Sequence, residues 1–472
     1  MNKTKIIATI THFYTEELLI DMYNAGVNIV RLNFSHAQAE TTKPLVDTIK
    51  RLNTEGTTNF GILLDTKGPE IRTGVREKKY SYKKGDSFRI FVDEKKMDQD
   101  SDMFCDYPYL LDDLKVGDSI AIESGLMDVI VTEVTPNYLM VTSLGTCDIG
   151  SRRHINFPGI SLRLPGLTEK DKSDILFGIE NEVQYIAASF IRTKENVQEI
   201  REFLKEHHAS HIQIISKIEN KEGLDNIREI VQISDGIMIA RGDLGIEVPI
   251  HELPYYQKVI IDACFEYGRP CIMATELLKS MTTSPFPTRA EVSDVYNSVM
   301  ARVDCVMLSD ETAVGKFPVE TVQLMRETVE EAERHTNNKH KDFDIQTENA
   351  IELEKKHLVK HALLLADEIK ADGVIVFTHT GNLAKYVAGY KPNQIVFTFS
   401  ASQKVFNALP ILFGVKGMKL AEWAEHTSEN QEIAVNMLLE KGYIKSGDKL
   451  VIIGAKQRGD TMDPLIRITK VD

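Results

Sequence analysis

Eight short apolar runs, separated by amphipathic stretches, constrain the fold of this 472-residue chain more than any other feature. Apolar runs that do not alternate with polar residues are typical of parallel strands buried on both faces, and the amphipathic stretches are typical of the helices that cover them. All but the third run are followed closely by such a helical stretch. Eight strand–helix units favour a closed (β/α)8 barrel, the TIM-barrel architecture, over an open doubly wound sheet. The runs are Lys5–Ile10, Asn28–Phe34, Phe60–Asp65, Tyr185–Phe190, Ile212–Lys217, Gly236–Ala240, Pro270–Thr275 and Asp304–Ser309.

The segment after the third run has a different pattern of apolar and polar residues. Between about Glu70 and Arg163 the helical period is lost, and short alternating runs such as Ser87–Val92 and Asp128–Val131 are separated by Gly and Asp turns. This pattern predicts a small β-barrel domain inserted at the C-terminal mouth of the larger barrel. A domain inserted there can act as a lid.

A polar stretch from Arg334 to Glu348 predicts a linker, and helix-like and strand-like segments alternate again beyond it. Strands are predicted at Gly373–Thr378, Gln394–Phe399 and Lys449–Ile453, which indicates a third domain of the α/β type. The predicted domains are a barrel from residues 1–69 and 164–335, an insert from 70–163 and a C-terminal domain from 336–472.

Charge and cysteine usage exclude several classes of function. There are 56 Lys and Arg residues against 70 Asp and Glu, so the net charge is −14, which disfavours nucleic acid and anionic membranes as partners. None of the five cysteines forms a Cys-x-x-Cys pair, and we interpret them as buried thiols in a reducing cytosol. No signal peptide or membrane-spanning run is apparent, so a cytoplasmic protein is expected.

Polar residues cluster where the predicted strands end, which is where barrels of this kind place their functional side chains. Glu219 and Asp243 follow neighbouring strands, and two carboxylates that leave room for water suit Mg²⁺. Arg31, Arg72 and Lys217 are cations at the same mouth, as an anionic substrate with a transferable phosphoryl group requires. A further set of oxygen ligands could hold a monovalent cation: Asn33, Ser35, Asp65 and Thr66.

Five segments at these strand ends resemble the signatures of the pyruvate kinase family, in the family's order and from one end of the barrel to the other. They are Arg31–His36, Leu64–Thr73, Ser216–Asn220, Ala240–Gly245 and Pro287–Glu291. The barrel, the inserted β domain and the C-terminal α/β domain also resemble that family's architecture. The resemblance implies transfer of a phosphoryl group from phosphoenolpyruvate to ADP, which gives pyruvate and ATP.

The resemblance also implies roles for single residues. Lys217 would stabilise the phosphoryl group in flight, and Thr275 would lie near the enolate carbon. Arg31 and Arg72 would bind phosphate, and the backbone of Arg241, Gly242 and Asp243 would hold the substrate carboxylate. The metal sites that the resemblance implies are Mg²⁺ (or Mn²⁺) at Glu219 and Asp243, and K⁺ at Asn33, Ser35, Asp65 and Thr66. Glu70 resembles the K⁺-dependent form of the family.

Departures from the family pattern cluster near the nucleotide side of the site. Thr11 and His12 stand where the family usually has Gly-Pro. Other unusual residues are Glu123, Ser124, Glu276, Arg302 and Asp310. His36, Arg152 and Arg153 remain as candidates for binding ADP. Binding of phosphoenolpyruvate, Mg²⁺ and K⁺ is therefore expected to be retained, and nucleotide affinity or choice is expected to differ.

The C-terminal domain of this family often carries an allosteric site for a sugar phosphate. The loop with Thr378, Thr380 and Gly381 resembles its phosphate cradle, so these residues form a candidate site for a sugar-phosphate or nucleotide effector. Leu383 replaces the usual hydroxyl residue and removes one donor from this cradle. Enzymes of this family are usually homotetramers.

Two alternatives remain open at the level of sequence. A Mg²⁺-dependent lyase or aldolase of 2-oxo acids would need the two carboxylates but not Lys217, the K⁺ set or the lid. A catalytically impaired paralogue would bind metal and phosphoenolpyruvate without turnover. Other phosphoryl-transfer designs fit poorly, because the chain has no Gly-x-x-x-x-Gly-Lys-Ser/Thr loop and no protein-kinase motifs.

Overall fold

The computed structural model describes residues 2–123, 125–336, 338, 345–347, 349–424, 427–458 and 461–472. Eight parallel strands close a barrel in which each strand pairs with its neighbours in chain order. The predicted (β/α)8 fold is therefore confirmed. The barrel strands, numbered 1 to 8 below, are Lys5–Thr9, Val27–Asn33, Gly61–Asp65, Tyr185–Ala188, Gln213–Ile218, Gly236–Ala240, Cys271–Ala274 and Cys305–Leu308.

Helices surround the barrel because alternate strand residues face opposite ways. Ile6, Leu32 and Leu64 pack outward against the helices, whereas Ile7, Ile29 and Leu63 face the barrel interior. The α-helices of this region are Glu16–Ala25, Ala39–Thr54, Glu169–Glu180, Lys194–Glu206, Lys221–Asp225, Ile227–Ile233, Arg241–Glu247, Leu253–Tyr267, Arg289–Met300, Asp310–Ala313 and Pro318–Arg334, with a 3₁₀ turn at Lys279–Thr282. None of the helices in the described part of the chain is long and apolar enough to cross a membrane.

The segment that follows barrel strand 3 is mainly β-structure, as the sequence pattern predicts. A six-stranded sheet and a two-stranded sheet surround one hydrophobic core that includes Tyr82, Phe88 and Tyr107. The strands are Tyr80–Tyr82, Ser87–Phe91, Met103–Phe104, Ser119–Ile122, Met127–Val134, Tyr138–Ser143, Cys147–Ile149 and Ile155–Asn156, with short helices at Glu94–Lys96 and Leu110–Asp113.

The C-terminal part forms a five-stranded sheet flanked by helices. Most of the predicted linker, namely residues 337, 339–344 and 348, lies outside the described residues. The last strand, which the sequence pattern did not predict, pairs antiparallel with Lys449–Arg458 at the edge of the sheet. The strands are Gly373–Phe377, Val396–Ser400, Val415–Lys419, Lys449–Arg458 and Thr461–Lys470, and the helices are Ala350–Glu368, Asn382–Gly389, Gln403–Asn407 and Thr427–Glu440.

The barrel interior and the C-terminal part share one hydrophobic core. Interior residues of the barrel belong to the same buried cluster as Ile411 and Leu412 of the C-terminal part. The backbone N–H of Ile411 donates to the Tyr185 hydroxyl at 3.3 Å, at the start of barrel strand 4. The C-terminal part therefore closes the end of the barrel opposite to the mouth, which leaves the mouth free for a functional site.

A buried ion pair also joins the two parts, and it gives a prediction on stability. Lys391 Nζ lies 2.5 Å from Asp304 Oδ2, and both side chains are almost completely buried. Asp304 also accepts the backbone N–H of Cys271 at 2.8 Å. Lys391→Met should lower the free energy of unfolding by about 3–5 kcal/mol, because it leaves a buried carboxylate without its cation. Urea denaturation followed by circular dichroism measures this loss.

The matched control for this prediction is the double variant Lys391→Met/Asp304→Asn. It removes both charges, so most of the lost stability should return. A Lys391→Met protein as stable as the wild type would contradict the assignment of this pair.

Candidate active site

Lys217 lies at the centre of the barrel mouth, near the end of strand 5. Its Nζ contacts Ser189 Oγ at 2.7 Å, Glu219 Oε1 at 2.9 Å and Asp65 Oδ1 at 3.0 Å. These residues follow or end strands 3, 4 and 5, so three neighbouring strands fix one ammonium group. Ser189 was missed at the sequence level, although it follows strand 4 and the same rule on strand ends would have found it.

The charges around Lys217 fix its protonation state. Burial alone would lower the pKa of Lys217, but Asp65 and Glu219 hold it above its ordinary value. Burial alone would raise the pKa of Asp65, but Lys217 and Arg31 hold it below its ordinary value. The mouth therefore holds a permanently charged ammonium group beside an ionised carboxylate.

Arg31 is buried in the barrel and points toward Asp65. Its Nε donates to Asp65 Oδ2 at 2.7 Å, and its Nη1 donates to Thr9 Oγ1 at 3.0 Å. Both carboxylate oxygens of Asp65 are thus held by cations, one by Arg31 and one by Lys217. Arg31 therefore positions Asp65, and Asp65 in turn positions Lys217.

Glu219 and Asp243 form a pair of carboxylates beside Lys217. Glu219 Oε2 accepts the backbone N–H of Phe190 at 2.6 Å, and Asp243 lies in the first turn of the helix Arg241–Glu247. Burial and the charge of Asp243 together raise the pKa of Glu219 to about 7, against the lowering effect of Lys217. Within the described residues, no cluster of three or more His, Cys, Asp or Glu side chains has metal-binding geometry. A buried pair whose charges repel suits a divalent cation that takes its other ligands from water and substrate.

The raised pKa of Glu219 predicts that metal affinity depends on pH. Below about pH 7 the Glu219 carboxyl holds a proton, which has to leave when a metal binds. Affinity for Mn²⁺ should therefore fall about tenfold for each pH unit below 7 and level off above it. Titration of the protein with Mn²⁺ at pH 5.5, 6.5 and 8, followed by electron paramagnetic resonance, measures this affinity. A pH-independent affinity would contradict the arrangement.

Arg72 is a partly exposed cation of the mouth, and Glu70 holds it. Glu70 Oε2 accepts from Arg72 Nη2 at 2.6 Å and Nε at 2.9 Å, while Glu70 Oε1 lies 3.1 Å from His154 Nε2. Burial would raise the pKa of Glu70, but His154 and Arg72 lower it to about 2. His154 was missed at the sequence level, because it belongs to the inserted β unit and no spacing linked it to Glu70.

The residues predicted to hold a monovalent cation meet at the ends of strands 2 and 3. Asn33 pairs with Asp65 in the sheet register. The Asn33 side chain accepts the backbone N–H of Ser35 at 3.2 Å, and Thr66 Oγ1 accepts that of Ser189 at 3.2 Å. The structure therefore brings these four residues together, and the ion remains a prediction.

Thr275 has a strained backbone at the end of strand 7. Its φ is 67° and that of Glu276 is 56°, and a β-branched residue rarely adopts the left-handed region. Thr275 Oγ1 accepts the backbone N–H of Gly242 at 3.0 Å and donates to the Ala274 carbonyl at 2.7 Å. The Arg241 side chain is held between Asp294 and the end of strand 7, since its Nη1 donates to Asp294 at 2.5 Å and its Nε donates to the Ala274 carbonyl at 3.1 Å. The backbone strain at Thr275 and Glu276 is typical of a functional position.

The three candidates for binding a nucleotide, His36, Arg152 and Arg153, do not form one connected cluster like the residues around Lys217. His36 and Arg152 are exposed, and Arg153 Nε lies 3.3 Å from Glu123 Oε1. The Arg152 carbonyl accepts from Arg72 Nη1 at 2.7 Å, which ties the loop of Arg152 to the mouth. Within the described part of the chain, no hydrogen bond or ion pair joins His36 to either arginine.

Several departures from the family pattern lie around the mouth. Thr11 Oγ1 donates to the Ala313 carbonyl at 3.3 Å, which joins the ends of strands 1 and 8. The ring of His12 packs at a tilt against that of Phe13, with centroids 3.9 Å apart. Glu276 forms an exposed ion pair with Lys279, and Asp310 begins the short helix after strand 8. Ser124 lies outside the described residues.

The candidate effector loop has a partly formed cradle. Gly381 has φ of 85°, and its N–H donates to Thr378 Oγ1 at 2.9 Å. Leu383 packs against the hydrophobic core. Within the described part of the chain, Thr380 makes no hydrogen bond that would place it in the cradle, so the effector site remains a prediction.

The closed eight-stranded barrel and the buried lysine between carboxylates at its mouth define a barrel enzyme for an anionic substrate. Comparison with known proteins narrows this class. The family model for the barrel domain of pyruvate kinase matches residues 1–322, and that for the alpha/beta domain of pyruvate kinase matches residues 356–468.

Individual relatives agree with the family match. The pyruvate kinase of Clostridium acetobutylicum is 38% identical over 458 residues, which cover 96% of each chain. That of Bacillus licheniformis is 38% identical over 96% of this chain and 77% of the relative. The crystal structure of a pyruvate kinase from Cryptosporidium parvum superposes with a TM-score of 0.93, at 33% identity over 100% of this chain and 96% of that one. The chain belongs to the pyruvate kinase family, and its function is that of a phosphotransferase of this family.

Proposed function

We propose that the chain transfers the phosphoryl group of phosphoenolpyruvate to ADP with the residues assembled at the barrel mouth. The observation that carries this proposal is Lys217, whose ammonium group is held by Asp65, Ser189 and Glu219 from three strands. A fixed cation in a buried site stabilises charge on a phosphoryl group during transfer, because it needs no reorganisation at that moment.

Substrate binding follows from the charges around Lys217. Arg72, held by Glu70 and partly exposed, binds the phosphate of phosphoenolpyruvate, and Arg31 supports it from inside the barrel. The substrate carboxylate lies at the backbone of Arg241, Gly242 and Asp243, where the short helix begins. Thr275 Oγ1 contacts the Gly242 N–H, so it lies beside the enolate carbon and can pass a proton to it.

Two cations complete the site, and family membership supports a general dependence on a divalent metal and on potassium. Glu219 and Asp243 would hold Mg²⁺ or Mn²⁺, which would neutralise phosphate and enolate charge when bound. Asn33, Ser35, Asp65 and Thr66 would hold K⁺. Burial and the charge of Asp243 both raise the pKa of Glu219, and this supports the divalent site because a bound cation would offset both effects.

The inserted β unit acts as a lid over this mouth. Asn156 of the insert donates to Glu247 of the barrel part at 3.3 Å, and His154 lies 3.1 Å from Glu70, the residue at which the insert begins. A lid excludes water, which strengthens the field of Lys217 and prevents loss of the phosphoryl group to hydrolysis. His36, Arg152 and Arg153 bind the diphosphate near the edge of the lid.

The test is an assay coupled to lactate dehydrogenase, with phosphoenolpyruvate, Mg²⁺, K⁺ and each nucleoside diphosphate in turn. The expected result is pyruvate formation that requires a diphosphate and both cations, and the series names the preferred acceptor. The departures at Thr11, His12, Glu276 and Asp310 predict that this preference differs from that of the relatives. Phosphoenolpyruvate binding without pyruvate from any diphosphate would overturn the proposal in favour of an impaired paralogue.

A further inference from the structure

A cleft of about 570 Å³ lies between the barrel and the C-terminal part, far from the mouth. Asp235 immediately precedes barrel strand 6, and Arg269 and Pro270 precede strand 7, so these residues mark the N-terminal end of the barrel. The helices Ala350–Glu368 and Asn382–Gly389 form the opposite wall. The cleft is therefore at the end of the barrel opposite to Lys217 and the metal carboxylates.

Three cations from separate elements face this cleft: Arg269, Lys356 and Lys385. Burial lowers the pKa values of both lysines, Glu352 and Asp235 offset only part of this effect, and the charge of Arg269 lowers the values further. The three cations therefore share one small space. Lys356 is only 5% exposed. A buried group of like charges is costly unless something neutralises it.

The carboxylates that line the cleft do not neutralise these cations closely. Asp235 Oδ2 is held by Arg201 Nη2 at 3.0 Å and by the Ile214 N–H at 3.1 Å, while its Oδ1 lies 3.8 Å from Lys385 Nζ. Glu352 Oε2 accepts from Thr347 Oγ1 at 3.0 Å and lies 3.7 Å from Lys356 Nζ. Both carboxylate contacts to the cleft lysines are thus longer than a hydrogen bond. Lys356 Nζ donates to the Gln346 carbonyl at 3.0 Å, but this acceptor is neutral and leaves the charge of Lys356 uncompensated.

Arg269 supplies an independent observation. Its Nη2 donates to the Gln232 carbonyl at 2.8 Å, but its Nε is buried and has no hydrogen-bond partner within the described residues. A buried N–H without a partner costs about 1–3 kcal/mol, so such a group in a native structure is typically satisfied by a water or a ligand. An anion in the cleft would satisfy it and neutralise the two lysines at once.

We propose that this cleft binds a small phosphate-bearing anion between Arg269, Lys356 and Lys385. A phosphate dianion offers enough charge and acceptor oxygens for all three cations, and an arginine binds it through two N–H groups. A cleft of this volume also accommodates the organic part of a phosphate monoester, with Tyr267 and Tyr386 in its lining. Free phosphate and a phosphate monoester share this chemistry.

Isothermal titration of the full-length protein with inorganic phosphate and with phenyl phosphate tests the site and separates the two sources. Lys356→Met and Arg269→Met should each weaken binding at least about tenfold, because each removes a hydrogen bond to a charged group. Lys355→Met is the matched control, since Lys355 is the exposed neighbour on the same helix, and it should bind as the wild type does. Tighter binding of phenyl phosphate would identify a monoester as the ligand, and equal affinity would identify free phosphate.

Circular dichroism shows whether each variant is folded. If Lys356→Met or Arg269→Met fails to fold, Lys385→Met on the helix Asn382–Gly389 repeats the test. Arg72→Met at the mouth should leave the cleft affinity unchanged. Wild-type affinity in the cleft variants, loss of binding only in Arg72→Met, or no binding of either probe would overturn the proposal. Because binding is measured without turnover, its failure is distinguishable from a failure of the catalytic assignment.

Discussion

Lys217→Met is expected to lower kcat by about a thousandfold or more, the range seen when a cation or donor that stabilises a transition state is removed. Methionine keeps the length of the side chain and removes its charge. The loss is expected in kcat because Lys217 is fixed in place by Asp65, Ser189 and Glu219 before substrate binds. The coupled assay measures kcat, and isothermal titration measures the binding of phosphoenolpyruvate, which should weaken much less.

Two control variants test whether the loss of activity is specific to the charge of Lys217 at its position. Lys221→Met removes a nearby lysine that pairs with Asp225, and it should leave kcat within about twofold of the wild type, as is usual for an exposed pair. Lys217→Arg keeps a cation beside Asp65 and Glu219 and so preserves the fold, but it displaces the charge and should still lose activity. Full activity in Lys217→Met would remove Lys217 from the mechanism.

Asp243→Asn should raise the Mg²⁺ or Mn²⁺ concentration required for half-maximal activity at least about a hundredfold. Loss of a group that only supports a metal ligand costs 10–100-fold in affinity, and loss of a ligand is expected to cost no less. Burial is the main cause of the raised pKa of Glu219, and the variant removes the charge of Asp243 that adds to it, so the pH dependence of metal binding should move to lower pH. Mn²⁺ binding followed by electron paramagnetic resonance gives a readout besides activity.

The matched control for this prediction is Asp262→Asn, which removes an exposed carboxylate that pairs with Lys258 on a surface helix. Its metal requirement should equal that of the wild type. An unchanged Mn²⁺ affinity in Asp243→Asn, with the protein folded, would show that the divalent cation binds elsewhere.

The sequence predicts the barrel and its central residues well because both follow from a simple periodicity. A barrel strand alternates between interior and helix side, so the placement of Arg31 and Asn33 on one side and Leu32 on the other followed from counting. Parallel strands all end at the same mouth, and this rule brought Asp65, Lys217 and Glu219 together without knowledge of any distance.

Other parts of the structure depend on contacts between segments that are distant in sequence. His154 reaches Glu70 because the last part of the insert pairs back onto its first part, where Arg72 and His154 form an antiparallel bridge. Arg241 has the sequence context of a mouth residue, and its side chain is held between the Ala274 carbonyl and Asp294 of the helix Arg289–Met300. A pattern within one segment contains no information on such a pairing, so both outcomes had to come from the structure.

The missed last strand has a local reason. Thr461–Lys470 contains Pro464, and a proline within an apolar run argues against a strand. The strand lies at the edge of the five-stranded sheet, where one side of its backbone has no partner strand, so the missing N–H is tolerated. The cluster of cations in the cleft could not be predicted from the sequence for a different reason. Arg269, Lys356 and Lys385 are far apart in the chain, and they meet only where the barrel packs against the C-terminal part.

The most direct test of phosphoryl transfer at the barrel mouth follows the phosphorus atoms of substrate and product. Phosphorus-31 NMR of the wild-type protein with phosphoenolpyruvate, ADP, Mg²⁺ and K⁺ should show the phosphoenolpyruvate signal fall as the ATP signals rise in equal amount. Omission of ADP should leave phosphoenolpyruvate intact, and Lys217→Met should slow the conversion by about a thousandfold or more. Release of inorganic phosphate without ATP, or an unchanged phosphoenolpyruvate signal with folded protein, would contradict the assignment of phosphoryl transfer to this barrel mouth.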